Sequence, residues 1–172
     1  GAQDPDGGPL YSGTCRSLSD DERKARIAKG DRHVMRIRSR ELDSILPHDL
    51  FFEEYHEGER GVQMPVSLDV WGDAVIARKD VKTTYHLSVV LDDARQGVTD
   101  VIRGADLLPA TAIHRSLQFL LNLPTPRYRH HRLITDDEGA KLSKSRGSRA
   151  LRDLRDEGIT PHDIRKALGF DV

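Results

Sequence analysis

The chain is expected to be an α/β protein, with a small mixed α+β region ahead of the sheet. Three observations carry this expectation. His86-Leu87-Ser88-Val89-Val90-Leu91 is a largely apolar run that stops at Asp92-Asp93, as a buried parallel strand would. Val98 to Ile102 and Arg132-Leu133-Ile134 are two more short runs of strand composition. Between them, Ile113, Leu117, Leu120 and Leu121 fall at i, i+4, i+7 and i+8, the spacing of one helix face. Strands alternating with helices build parallel sheets. In such sheets ligands sit beyond the carboxyl ends of the strands. Arg103 falls at one such end and a lysine-rich loop follows another, so both are expected to face one pocket.

Taken in order, residues 1–16 read as loop, because Gly1 to Pro9 is full of turn formers. With no initiator Met, this start looks like the middle of a loop, and the chain is expected to be the C-terminal part of a longer protein. Ser19 is a plausible N-cap, with Glu22 three residues on and acids in the first turn; the helix runs to Lys29 and Gly30 ends it. His33 to Arg38 alternates and suggests a strand with one exposed face. Residues 41–61 are acidic and read as irregular. Val66 to Trp71 and Ala74 to Ala77 read as strands. Pro109 suits the first turn of the helix that follows Arg103, and Asn122 and Pro124 close it. Two short helices finish the chain; the last has Thr160 as N-cap, Pro161 in the first position and Asp163 completing a capping box. Residues 1–70 are thus a small mixed region, and residues 71–172 the main α/β region.

Composition narrows the function classes. A chain of 172 residues with 37% hydrophobic and 32% charged residues is long enough for a core and reads as soluble. A net charge of −1 supplies no global basic field, so any nucleic-acid contact is a local patch. No apolar run approaches the roughly 18 residues of a membrane span, and the start has no signal-peptide core. The single cysteine, Cys15, excludes an internal disulfide, which makes the cytoplasm the expected compartment.

The densest chemistry lies in Lys141-Leu142-Ser143-Lys144-Ser145, after the turn-like Asp136-Asp137-Glu138-Gly139. Ammonium groups neutralise phosphate charge, while hydroxyls and backbone N–H groups donate hydrogen bonds to it. Basic, serine-containing loops are also common on surfaces, so the string alone leaves both readings open.

Several blocks stand in a recognisable order. They are Thr84-Tyr85-His86-Leu87, Val89 to Asp93, Gly97 to Leu108, Pro124 to Tyr128, and the Lys141–Ser145 loop. Together they resemble the C-terminal half of the catalytic core of glutamyl-tRNA synthetases, class I enzymes with a Rossmann-type core. The match is best to the truncated paralogues of that family, the glutamyl-Q tRNA(Asp) synthetases. It covers nearly the whole chain and is loosest at residues 40–65. Asp4 to Arg16 is similar to the paralogues' zinc-lobe segment, in which a Tyr and a Cys four apart are half of a four-ligand site; here these are Tyr11 and Cys15. The chain also stops at Val172, before the helical anticodon-binding part of a full glutamyl-tRNA synthetase. Two family features are not in these residues: the H-I-G-H type signature and the C-x-C pair of the zinc site. The resemblance places both upstream of Gly1, so the chain by itself is expected to be half an active site.

The resemblance implies roles. Lys144 contacts ATP and stabilises the departing pyrophosphate, with Lys141 and Ser143 supporting the loop and Leu133 and Ile134 bordering the nucleotide. Arg103 pairs the side-chain carboxylate of glutamate, and Tyr85 borders the bound amino acid. Tyr11 and Cys15 are implied zinc ligands, Mg2+ accompanies ATP, and the acceptor is a tRNA, expected to be tRNA(Asp), served by a monomer away from membranes. His130-His131 has no carboxylate or Cys at ligand-like spacing and reads as structural or nucleotide-edge. Asp92 and Asp93 read as a strand-end turn, and Trp71 as core. Arg146, Arg149, Arg152 and Arg155 form a basic stripe that suits either RNA phosphates or a solvated helix face.

Overall fold

The computed structural model describes residues 1–56, 60–136, 138–143 and 147–170, in two compact units, Gly1–His131 and Arg132–Val172. In the first unit, helix α1 spans Asp20–Lys29. The Ser19 hydroxyl accepts from the Glu22 N–H, the Glu22 carboxylate accepts from the Ser19 N–H, and Gly30 ends the helix at φ 91°. Strand β1, Val34–Arg36, pairs antiparallel with β4, Val75–Arg78, and leaves Val34 and Met35 exposed.

The stretch expected to be irregular is structured. It holds helix α2, Ser39–Asp43, and strand β2, Phe51–Glu54, followed by β3, Val62–Pro65. Leu42, Leu46 and Leu50 from this stretch enter the core. Acidic composition hid them, because β2 alternates with Phe52 and Glu54 inward, and a buried glutamate reads as a solvated one. Val66 to Trp71 is not a strand. A turn in which the Trp71 N–H donates to the Leu68 carbonyl lets both side chains bury, at 2% and 3% exposure.

The largest correction concerns His86 to Leu91. These residues lie in helix α3, Tyr85–Gln96, which buries His86 and Val90 one turn apart. A six-residue apolar run does not distinguish a strand from a helix buried on one side. The deciding signal was at the ends: Thr84 in extended conformation before the helix and Gly97 at φ 68° after it. Asp92 and Asp93 consequently sit inside the helix and not in a strand-end turn.

Strand β5, Asp100–Gly104, follows, then a 3-10 turn at Ala105–Leu107 and helix α4, Leu108–Leu120. Ile113 and Leu117 of α4 are buried as expected, whereas Leu120 and Leu121 are 44% and 45% exposed. Strand β6 is Arg127–His131, so the strand placed at 132–134 lies five residues earlier. Its charged residues disguised it; Tyr128 and His130 alternate inward. The sheet runs β3-β2-β6-β5, with β2, β6 and β5 parallel and β3 antiparallel at the edge. It is therefore mixed, as a parallel sheet with an antiparallel edge strand commonly is.

In the second unit, Thr135 and Lys141 bridge across a turn held by Asp136, whose carboxylate accepts from the Glu138 and Ala140 N–H groups. Helices α5, Leu151–Asp156, and α6, Pro161–Ala167, follow. The Thr160–Asp163 capping box and Pro161 start α6 as the sequence predicts.

Candidate functional site

A buried polar layer lies between the sheet and helix α4, at the carboxyl ends of the parallel strands. Parallel register pairs Arg103 of β5 with His130 of β6, which puts neighbouring side chains on one face. Thr111 and His114 stand one turn apart on α4, and both are buried, at 0% and 1% exposure. Glu54 ends β2, and His86 lies in the first turn of α3.

Arg103 joins these elements. Its Nε donates to His130 Nε2 at 3.1 Å, Nη1 to His114 Nδ1 at 3.1 Å, and Nη2 to Thr111 Oγ1 at 2.6 Å. A guanidinium can only donate, so the imidazole atoms facing it are acceptors. His130 therefore carries its proton on Nδ1 and gives it to Glu54 Oε2 at 2.7 Å, while Glu54 Oε1 accepts from the His130 backbone N–H at 2.7 Å. His114 likewise carries its proton on Nε2, which faces His86 Nδ1 at 3.1 Å. His86 then donates from Nε2 to Asp6 Oδ2 at 3.0 Å. Tyr128 stacks flat on His130, and the Arg103 guanidinium lies 5.3 Å from the Tyr128 ring centre. Tyr85, half exposed, sets its ring edgewise against His86 and His114.

Electrostatics agree with these protonation states. Burial, reinforced by the Arg103 charge, pushes His114 down to about 2. Burial also lowers His130, even though Glu54 pulls the other way. Since an unfolded His titrates near 6.5, the unfolded chain takes up the His114 proton first as pH falls. Stability is then unaffected above about pH 7 and is lost progressively as pH drops from about 6.5 toward 2. Between pH 7.5 and 4.5 this group alone is expected to remove roughly 3 kcal/mol. Asp93, whose carboxyl burial pushes up, works in the opposite sense at the acid end. Urea unfolding of the wild type and of His114→Gln at both pH values isolates the effect. An equal acid loss in the two proteins would contradict it.

Of the residues expected to act, Arg103 and Tyr85 are thus brought to one site. Lys144 lies outside the described residues. Lys141 and Ser143 follow the Asp136 turn, and the Ser143 N–H donates to Ser148 Oγ at 2.9 Å. Leu133 is half-buried and Ile134 exposed, the latter accepting from the Leu142 N–H through its carbonyl. Trp71 is core, as expected, and donates from Nε1 to the Pro109 carbonyl. In the basic stripe, Arg149 pairs with Glu157 on the surface, and Arg152 and Arg155 lie 3.9 Å from Asp153 and Asp156.

Tyr11 and Cys15 do come together: the Cys15 N–H donates to the Tyr11 hydroxyl at 2.8 Å. They supply two donors of a four-donor zinc set. Among the described residues no three His, Cys, Asp or Glu side chains group to hold a metal ion. The cavity of ≈ 680 Å³ that both residues line also carries Arg16, Arg23, Arg26 and Arg36, a poor setting for a dication. These residues by themselves do not fit zinc.

Sequence reading missed Glu54, His86, Thr111 and His114, and it denied His130 a carboxylate partner. That partner stands 76 residues away. The one local signal was Thr111 and His114 at helical spacing on the apolar face of α4.

Residues 3–170 match the family model described as tRNA synthetases class I (E and Q), catalytic domain. A glutamyl-Q tRNA(Asp) synthetase of Rhodobacter capsulatus is 43% identical over 96% of this chain and 58% of its own length. A protein named glutamate–tRNA ligase 2 of Nitrosococcus oceani is 39% identical over 91% of this chain and 31% of its own length. The crystal structure of a glutamate tRNA ligase from Elizabethkingia meningosepticum, in complex with its amino acid, superposes with a TM-score of 0.58 at 26% identity, covering 87% of this chain and 28% of that one. The chain thus spans about half the length of the glutamyl-Q tRNA(Asp) synthetases it matches. With the match running through almost every described element, the chain belongs to the catalytic-domain family of the class I tRNA synthetases of the E and Q type.

Proposed function

We propose that the protein carrying this chain activates glutamate with ATP and transfers it to the queuosine base of tRNA(Asp). The observation that carries the glutamate part is Arg103. Its charge sits at the carboxyl end of a parallel strand, and three of its five N–H donors are held by His130, His114 and Thr111. One N–H on each terminal nitrogen is left for a two-oxygen acceptor, the fit of a guanidinium to a carboxylate. Glutamine would present an amide donor to the same N–H groups and be rejected. Tyr85, exposed beside His86 and His114, borders the amino acid.

In the first step an oxygen of the glutamate α-carboxylate attacks the α-phosphorus of ATP, and the bond to the pyrophosphate oxygen breaks. No general base is needed, because the carboxylate is already ionised. Negative charge grows on the leaving pyrophosphate, where Lys144 stabilises it more in the transition state than in the ground state. Lys141 and Ser143 support the loop, Leu133 and Ile134 border the nucleotide, and Mg2+ accompanies the phosphates. In the second step the acceptor attacks the glutamyl carbonyl and AMP leaves. The reaction belongs to the cytoplasm, where ATP and tRNA meet.

The acceptor assignment is supported by the relatives: proteins named glutamyl-Q tRNA(Asp) synthetase match at 39–43% identity over 91% or more of this chain. A second reading, an ordinary glutamate–tRNA ligase, is supported by the 39% identity to the Nitrosococcus oceani protein. The two are separated by supplying the whole protein with radiolabelled glutamate, ATP and either tRNA(Glu) or queuosine-containing tRNA(Asp). Label is expected on tRNA(Asp), with transfer falling steeply as salt is raised because phosphate contacts release counterions. Label on tRNA(Glu) alone rejects the acceptor in favour of the second reading.

A further inference from the structure

The Arg103 network has a feature that carbohydrate-like or neutral ligands would not require: its direction. Two files of hydrogen bonds leave the guanidinium. One runs through His130 to Glu54, the other through His114 and His86 to Asp6. Each file begins at a cation, passes through imidazole and ends at a carboxylate. No carboxylate among the described residues forms a direct ion pair with Arg103. A buried or half-buried arginine ordinarily acquires a carboxylate neighbour, because an unpaired charge is costly away from water. Here the carboxylates of the two files stand one ring and two rings away, and Asp93, whose carboxyl feels the Arg103 charge, makes no direct ion pair with it among the described residues.

We propose that His114 and His86 are positioning residues that set specificity for a carboxylate substrate: they hold Arg103 through its N–H groups while keeping protein carboxylates off it. The inference rests on the reading of Arg103 as the glutamate-binding residue. An imidazole that accepts from the guanidinium orients it without neutralising it. His114 has no other acceptor atom to offer, so its remaining N–H must go on to His86, and the file stays in one register. Asp6 closes the file at the surface, where its side chain is half exposed, and gives His86 Nε2–H an acceptor. Trp71 and Tyr85 set ring edges against His86, and Tyr85 does so against His114, which limits how either imidazole can turn. The charge of Arg103, which also acts on the partly buried Asp93, is thereby left without a direct carboxylate partner and open to an anion arriving from outside.

The test uses the whole protein and ATP–pyrophosphate exchange, with KM measured for glutamate and for ATP and with glutamine as the competing substrate. His114→Glu puts a carboxylate directly on Arg103. The glutamate KM is expected to rise on the order of 10²-fold, the preference for glutamate over glutamine to collapse, and the ATP KM to stay within about threefold. His114→Gln offers an acceptor oxygen and a donor N–H in one side chain, and is expected to recover glutamate KM to within about fivefold of wild type. Equal glutamate KM in the Glu and Gln variants would overturn the proposal, as would a loss of both KM values together in step with melting temperature. Should His114→Glu fail to fold, His86→Leu decides. It leaves Arg103 untouched but strands the His114 N–H, and a selective rise in glutamate KM of about tenfold supports the proposal whereas no change overturns it. Arg103→Ala run in parallel separates the two levels. If it leaves glutamate KM unchanged, the reading of Arg103 itself has failed; if it abolishes glutamate binding while His114→Glu does not, only the positioning role has.

Discussion

Replacing Arg103 by alanine in the whole protein is expected to weaken glutamate binding on the order of 10²- to 10³-fold and to leave ATP binding nearly unchanged. The scale is that of removing a charge-assisted, two-point contact to a carboxylate, about 3–4 kcal/mol. Two further consequences follow from the network. The substitution deprives His114 Nδ1 and Thr111 Oγ1 of their donor, while His130 Nε2 keeps the Thr111 hydroxyl at 3.1 Å. Buried acceptors left without partners cost about 1–3 kcal/mol each at most, and less where water enters the vacated space. The melting temperature should therefore fall as well, by an amount Arg103→Lys separates from function. Lysine keeps the charge but is a single point, so it retains part of the stability and little of the discrimination. Calorimetry with glutamate and with ATP on each variant gives the answer. Unchanged glutamate affinity in Arg103→Ala would reduce Arg103 to a structural tie between β5, β6 and α4.

Lys144→Ala should lower glutamate-dependent ATP–pyrophosphate exchange by on the order of 10²-fold or more, with little change in stability. One charge donor acting on a leaving group is worth about 3 kcal/mol of transition-state stabilisation. The described residues before Lys144 are held by their own contacts. The turn before it is closed by Asp136 and the Thr135–Lys141 bridge, and the backbone N–H of Ser143 is satisfied by Ser148 Oγ. Because the loss falls on charge that develops during the reaction, kcat should drop more than the ATP KM rises. Exchange at the wild-type rate would remove Lys144 from the mechanism.

Much of the fold was legible where the governing interactions are local. The Ser19–Glu22 and Thr160–Asp163 capping boxes, the left-handed Gly30 and the proline starts of α4 and α6 are contacts within four residues of chain, and each stands where the sequence put it. The helix α3 was misread because its apolar residues do not keep to one face: His86 and Val90 are buried, Leu87 and Val89 are partly buried against the core, and Tyr85 and Leu91 are exposed. Strands β2 and β6 were missed or displaced for a related reason: Glu54, Arg127, Arg129 and His130 look solvated to any reading of composition.

The family, the approximate position of β5 and the choice of Arg103 and Tyr85 came from the sequence alone, because they depend on residue order. What surrounds Arg103 did not. Asp6, Glu54, His86, His114 and His130 are spread over 125 residues of chain and meet only through the parallel register of β5 and β6, the end of β2 and the packing of α3 and α4 over the sheet. A hydrogen bond forms between atoms about 3 Å apart whatever their separation in sequence. So the direction of the two files, the neutral state of His114 and the lack of a direct carboxylate partner for Arg103 among the described residues were decided by tertiary structure.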